Sequence, residues 1–202
     1  MKLGRVKIGI QGGRGSFNEE ALKHYLQKEN IRETEVDIKY LYTTDRVLSA
    51  LISGAIDRGQ FATENSIGGP VNETVVAQEK YSFADRFEVI EQYSIQIAHC
   101  LMVHPDARLE DVDTIMTHPQ VLAQCRSTIA RRYSHMMFKE GEGDFVDPAR
   151  VGEGIARGSL PRNVATVSGR LISEAWGLKI VDHDLQDRAD NFTTFVLVKM
   201  RS

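Results

Sequence analysis

Val6-Lys7-Ile8-Gly9-Ile10-Gln11-Gly12-Gly13-Arg14-Gly15-Ser16 is the stretch that decides the fold. Val6 to Ile10 reads as a short buried strand, and a glycine turn follows at once. Ser16 with Glu19 then makes a capping-box pattern, and Ala21, Leu22, Tyr25 and Leu26 form a helical apolar stripe behind it. Strand, glycine turn and helix N-terminus in this order let the backbone approach an anion, which the free N–H groups and the positive end of the helix dipole would attract. The pattern is not GxGxxG and lacks a Walker lysine, so it does not specify a nucleotide.

The same alternation continues along the chain. Val36 to Tyr42 reads as a strand, followed by a helix capped at Thr44 and stopped near Gly54. Gln60 to Thr63 is extended and ends in the polar turn Glu64-Asn65-Ser66-Ile67-Gly68-Gly69-Pro70, which suits either a site or a plain loop. Val89 to Val103 reads as one long strand and a candidate crossover between two lobes. Thr114 to Met116 is the next strand. Thr117 and Gln120 then fit a capping box, Pro119 suits the first helical position, and Gln124 lies in the early turns of the helix. His118 is a helix-start residue or a base. Later strands are expected at Met136 to Lys139, Val164 to Val167 and Leu178 to Val181, with helices opened by Asp147-Pro148 and capped by Ser168. A βαβα pattern throughout argues mainly parallel sheets with helices on both faces, where ligands sit beyond the C-terminal strand ends. Several helix N-termini facing one cleft would favour an anionic ligand such as a small dicarboxylate or a phosphate.

The 202 residues are 42% hydrophobic and 26% charged, enough for one large domain or two small ones. A formal net charge of -3 with scattered basic residues excludes a nucleic-acid footprint. Met1-Lys2-Leu3-Gly4-Arg5 runs straight into the first strand, and no stretch reaches about 18 apolar residues, so a soluble, cytoplasmic protein without membrane contact is expected. Cys100 and Cys125 lie apart in apolar patterns and read as buried free thiols. A homodimer is the default oligomer.

Asn191-Phe192-Thr193-Thr194-Phe195 sets an amide and two hydroxyls where a last strand enters a core. Alone, this is an asparagine turn followed by strand threonines. Its meaning changes with its companions. The segments Gly12-Gly13-Arg14-Gly15-Ser16-Phe17, Glu64-Asn65-Ser66 with Gly68, His118-Pro119-Gln120 through Gln124-Cys125, and Asn191-Phe192-Thr193 with Phe195 stand in the order and spacing of prephenate dehydratases. The chain resembles that family over about residues 5–200.

The resemblance implies a two-lobed, periplasmic-binding-protein-like (type II) α/β architecture, with substrate in the interlobe cleft. Residues 1–92 with the return segment 190–202 would form one lobe and residues 93–189 the other. It also implies conversion of prephenate to phenylpyruvate with loss of carbon dioxide and water, as a step of phenylalanine biosynthesis, with no cofactor and no metal. The family's essential threonine falls on Thr193, its asparagine on Asn65 and its glutamine on Gln124. Glu64, Ser66, Gly68, Arg14, Gly15, Ser16, Thr117, His118, Gln120, Asn191, Thr194 and Phe195 are the expected substrate-binding residues. A neutral threonine is a poor acid, so Thr193 would act by positioning and by stabilising the leaving oxygen.

Several positions depart from the family pattern. Thr194 replaces the arginine of Asn-x-Thr-Arg-Phe, and loss of a charged contact would cost about 1.5–3 kcal/mol of binding. Arg14 is the expected substitute for that charge. The usual Pro-Ile before the Glu-Asn pair is Ala62-Thr63, and the segment Gly143 to Asp147 is also altered. With Ser202 following the last strand, no regulatory ACT module and no feedback inhibition by phenylalanine are expected. The alternatives are a relative that decarboxylates prephenate without dehydration, and a non-catalytic anion sensor on the same scaffold.

Overall fold

Strands and helices alternate where the apolar spacing changes between two and 3.6 residues. The computed structural model describes residues 5–201, so the reading of Met1 to Gly4 lies outside the described residues. In chain order the elements are β1 (Val6–Ile10), α1 (Phe17–Lys28), β2 (Val36–Tyr40), α2 (Thr44–Ile52), β3 (Arg58–Asn65), β4 (Gly69–Pro70), α3 (Asn72–Lys80), α4 (Phe83–Arg86) and β5 (Phe87–Gln96). There follow β6 (Cys100–Val103), β7 (Thr114–Thr117), α5 (Pro119–Arg132), β8 (Met137–Glu140), α6 (Pro148–Arg157), β9 (Val164–Ser168), α7 (Leu171–Trp176), β10 (Lys179–Asp182) and β11 (Phe192–Met200). None of the helices among the described residues is long and apolar enough to cross a membrane.

Contacts divide the chain into two α/β units, as expected for a two-lobed fold. The first takes in the residues up to Gly13, Asn18–Gln96 and the chain from Phe192 onward; the second holds Arg14–Phe17 and Ile97–Asn191. In the first unit the sheet order is β2-β1-β3-β11-β5, with β4 on β3. One face carries α1, whose Tyr25 stacks on Tyr93 at 5.4 Å, and Tyr93 stacks in turn near Phe195 at 6.4 Å. On the other face Phe61, Val196 and Val198 pack with Val47, Leu48 and Leu51 of α2 and Ala77 of α3. Alternation along β11 therefore sends Phe195 and Val196 to opposite faces.

The second unit has the order β10-β6-β9-β7-β8. β6 shows why its four residues form an unbroken apolar run. Leu101 and Val103 enter a core shared with Val121, Cys125 and Ile129 of α5, while Cys100 and Met102 enter one shared with Val151 and Ile155 of α6 and Ile172 of α7. A strand covered on both faces has no solvent side, and each such side chain contributes about 1.5–3 kcal/mol when fully buried.

Both sheets are mixed. β1 pairs in parallel with β2 and β3, and β7 with β8 and β9, but β11 runs antiparallel to β3 and β5, and β6 to β9 and β10. The parallel pairing expected from the βαβα pattern holds where a helix connects strands. It fails for β4, β5, β6, β10 and β11, whose pairings are all antiparallel. The long strand expected from Val89 to Val103 is two strands, parted at Ile97-Ala98-His99 where the chain changes unit. Helix caps also shift. Thr43 rather than Thr44 caps α2, accepting from the Arg46 N–H at 3.2 Å, and Ser168 ends β9 instead of capping α7.

Candidate functional site

Asn65 ends β3 and stands opposite Thr193 of β11 in the sheet register. The chain then turns at once. The Asn65 Oδ1 accepts the backbone N–H groups of Ile67 at 3.0 Å and Gly68 at 2.8 Å, so the turn is wound around the side-chain oxygen. That fixes the amide, because a flipped side chain would aim its NH2 at two N–H groups. The Nδ2 side must therefore donate, and it does so to the Phe192 carbonyl at 3.2 Å and to the Thr193 hydroxyl oxygen at 2.9 Å. Ser66 completes the clasp: its N–H donates to the Phe192 carbonyl at 2.8 Å, and its hydroxyl accepts the Phe192 N–H at 2.9 Å.

One consequence is chemical. With an N–H donated onto its oxygen, the Thr193 hydroxyl is left to use its own proton as a donor. Thr193 is half-buried and Asn65 is 3% exposed, so this polarity is held away from competing water.

Gln124 is the centre of a second cluster, in the other unit. α5 is capped by His118, whose Nδ1 accepts the Gln120 N–H at 3.0 Å, and Pro119 opens the helix as expected. His118 is thus a helix cap, and burial lowers its pKa. The Gln124 Oε1 accepts from the Asn191 Nδ2 at 3.0 Å and lies 2.9 Å from the His99 Nε2. Its backbone carbonyl accepts the Asp187 N–H at 2.7 Å, while the Asp187 carboxylate takes the N–H groups of Ser127 and Thr128. Although burial opposes it, these N–H groups hold the Asp187 pKa below the usual value.

The glycine turn belongs to this second cluster by contact. Gly15 has φ +88°, and a Cβ there would stand 2.8 Å from the Ile172 Cα, so only glycine fits. Phe17 lies edge-on to His99, ring centroids 5.3 Å apart, and against Gly169. Arg14 is exposed and Ser16 half-buried.

Three expected binding residues are placed otherwise. Phe195 is 1% exposed and packs in the core against Tyr93. Thr117 is fully buried at the end of β7, with its hydroxyl donating to the Val167 carbonyl at 2.7 Å. Thr194 leaves β11 on the face opposite Thr193. Its hydroxyl meets Ser94 at 2.9 Å, it pairs across the strands with Glu64, and both line a cavity of about 400 Å³ with Phe83 and Val196. A residue at position 194 therefore does not stand beside Thr193. Glu64, Ser66, Gly68 and Gln120 are exposed.

His99 was not singled out by the sequence. A lone histidine beside an apolar run reads as core, and nothing in its spacing points to Gln124, 25 positions away. Among the described residues no three His, Cys, Asp or Glu side chains gather as a metal site. Cys125, pushed up to about 12 by burial, is no nucleophile.

A family model described as prephenate dehydratase matches residues 8–202. The chain belongs to the prephenate dehydratase family. Among its curated relatives is an arogenate dehydratase/prephenate dehydratase of Arabidopsis thaliana, 27% identical over 195 residues, covering 96% of this chain and 46% of the relative. The chain thus spans about half the length of the curated relatives it matches. Among solved structures, the prephenate dehydratase of Arthrobacter aurescens in complex with L-Phe aligns with a TM-score of 0.81 at 22% identity, over 98% of this chain and 61% of that one. A structure described as a quorum quenching acylase aligns with a TM-score of 0.75 at 21% identity, over 97% of this chain and 64% of that one. Likeness at these identities speaks for the family's fold; the reaction has to be argued from the side chains.

Proposed function

We propose that the chain catalyses the decarboxylative dehydration of prephenate to phenylpyruvate. The ring carbon–carboxylate bond breaks and releases carbon dioxide. Its electron pair enters the ring, which becomes aromatic, and the ring hydroxyl leaves on the opposite side. The prephenate dianion takes up one proton in all and yields the phenylpyruvate anion, carbon dioxide and water. Aromatisation drives the elimination, so the residues need only bind, orient and stabilise the departing oxygen.

Thr193 takes that last part. Its proton is directed outward by Asn65, and it donates a hydrogen bond to the oxygen as negative charge develops there. Threonine is too weak an acid to supply the net proton, which comes from water. Gln124 orients a substrate carboxylate through its NH2 group. An uncharged amide suits this work, since an ion pair on the departing carboxylate would stabilise the substrate more than the transition state. Arg14 supplies positive charge toward the other carboxylate.

The observation that carries the reading is the 2.9 Å bond from the Asn65 Nδ2 to the Thr193 oxygen, with the Asn65 oxygen already committed to the turn. Incubation with prephenate and product analysis tests it. Phenylpyruvate from the wild type and a loss of at least a hundredfold in Thr193→Ala are expected. A non-aromatic keto acid would give the reaction to decarboxylation alone, and binding without turnover would make the chain a sensor. Arogenate belongs in a parallel arm, because relatives carry that name. Phenylalanine formed faster from arogenate than phenylpyruvate from prephenate would move the substrate assignment.

A further inference from the structure

The cavity beside Thr194 has no part in the chemistry so far. It lies wholly in the first unit, on the face of β11 away from Thr193, between the sheet and the helices α3 and α4. Two irregularities in the sheet shape it. In the pairing of β3 with β11, Thr194 stands opposite Glu64 and Phe195 opposite Ala62, which leaves Thr63 over as a bulge. In the pairing of β5 with β11, Leu197 stands opposite Glu91 and Val198 opposite Val89, which leaves Ile90 over. Regular alternation would send Thr63 and Glu64 to opposite faces, and likewise Val89 and Gln92. The extra residues bring both pairs to the same cavity. On the helix side Gln78 reaches it one turn after Thr74, whose hydroxyl donates to the Ala62 carbonyl at 2.7 Å and fixes that side of α3 on the sheet.

The polar groups here are acceptors in search of a donor. The Glu64 carboxylate and the amides of Gln78 and Gln92 have no side-chain partner among the described residues. Thr63 donates its hydroxyl proton to the Thr194 carbonyl at 3.3 Å, so its oxygen offers only lone pairs to anything else. A carboxylate likewise only accepts, and each amide can turn its oxygen inward. Phe83 and Val196 supply an apolar wall, with the Phe83 ring stacked on Phe87 at 5.4 Å. No Lys, Arg or His lines the space.

Charge narrows the occupant. An anion would meet a carboxylate with no cation to offset it. A divalent metal takes six or more oxygen ligands with several charges among them, and no three His, Cys, Asp or Glu side chains gather among the described residues. Water satisfies the polar groups but gains nothing from the apolar wall. A monocation with several N–H donors on an apolar body suits both, and about 400 Å³ is room for a small organic molecule. We propose that this cavity binds a primary ammonium group carried on a short apolar chain, with the charge on Glu64 and the chain against Phe83 and Val196. The assignment does not rest on the dehydratase reading.

Backbone amide spectra of the protein, titrated with n-butylammonium chloride at constant ionic strength, test this. Butan-1-ol and butanoate serve as neutral and anionic probes of the same length. Saturable shifts are expected at Gln78, Gln92 and Thr194 with butylammonium, about fivefold weaker binding or less with butanol, and none with butanoate. Glu64→Gln keeps the shape and removes the charge, and should weaken butylammonium binding about fivefold or more. Thr194→Arg sets a guanidinium beside Glu64 and should abolish binding, whereas Thr194→Val, of similar size and uncharged, should leave it within about threefold. The rest of each spectrum shows whether the variant is folded. Shifts that do not saturate or that fall elsewhere, equal binding of butanol, or binding undiminished in Glu64→Gln or Thr194→Arg would overturn the proposal.

Discussion

Replacing Asn65 by aspartate changes one atom and should silence Thr193. The two turn N–H groups still find an oxygen, so the Ile67–Gly68 turn survives. The other side of the group now faces the Phe192 carbonyl and the Thr193 hydroxyl with an oxygen where an N–H stood. Two donated hydrogen bonds are lost, at about 0.5–1.5 kcal/mol each, so unfolding free energy should fall by about 1–3 kcal/mol. The kinetic effect is larger than the loss of a contact. An aspartate oxygen accepts the Thr193 proton, and the hydroxyl then turns its lone pairs outward, where a donor is required. Loss of one donor to a developing oxyanion lowers kcat by about 10²–10³, or roughly 2.7–4 kcal/mol. Thr193→Ala should lower kcat by a similar factor. In the double variant the two effects should not multiply, because Asn65 acts through Thr193. The assay is phenylpyruvate formation at saturating prephenate for all four proteins, with denaturant unfolding alongside. An Asn65→Asp variant that keeps kcat, or a double variant whose losses multiply in full, would refute the reasoning.

Thr194→Arg should leave the KM for prephenate within threefold and change stability by less than about 1 kcal/mol, since the new guanidinium would pair across the strands with Glu64 on the face away from Thr193. A tenfold fall in KM would show that position 194 does reach the substrate. Arg14→Ala should raise KM about tenfold with kcat little changed, as befits loss of a charged hydrogen bond; an unchanged KM would remove Arg14 from the site. Gly15→Ala should cost about 2–4 kcal/mol in denaturant unfolding, part from a side chain at φ +88° and part from the clash with Ile172. For His99 the folded pKa of about 4 lies below the unfolded value of 6.5, so the unfolded chain binds the proton first as pH falls. Its contribution is complete above pH 6.5 and is lost toward pH 4, by about 3 kcal/mol, and His99→Gln should lack that component when both proteins are unfolded across the range.

Much of this was legible in the sequence, and the failures have physical causes. Strands and helices announced themselves through spacing, and Gly12 to Ser16 through its punctuation. The break at Ile97-Ala98-His99 did not, because Ile95 and Ile97 continue the alternation through a change of unit. Sheet pairing did not either, since periodicity gives a strand its faces but not its neighbours. Among the candidate residues, the resemblance pointed to Thr193, Asn65 and Gln124 but not to the polarity of their hydrogen bonds, which depends on which atoms the turn and the crossovers leave engaged. Phe195 and Thr117 are buried strand residues, because a family motif mixes residues that face a ligand with residues that hold the strand. Thr194 was misjudged for a simpler reason: its neighbour in sequence is its opposite across a pleat.

The position of β11 has a bearing on how the protein is made. It lies inside its sheet, between β3 and β5, and among the described residues β5 has no other neighbour there. Asn65 and Phe192 are 127 residues apart, so at about 5–20 residues per second a ribosome needs roughly 6–25 s between exposing one side of that seam and supplying the other. During that time the nearly continuous segment of the second unit is itself being made, while the first holds two open strand edges. Newly made chains are thus most vulnerable to aggregation just before synthesis reaches β11, and the segment that carries Thr193 is also the one that seals the nascent sheet.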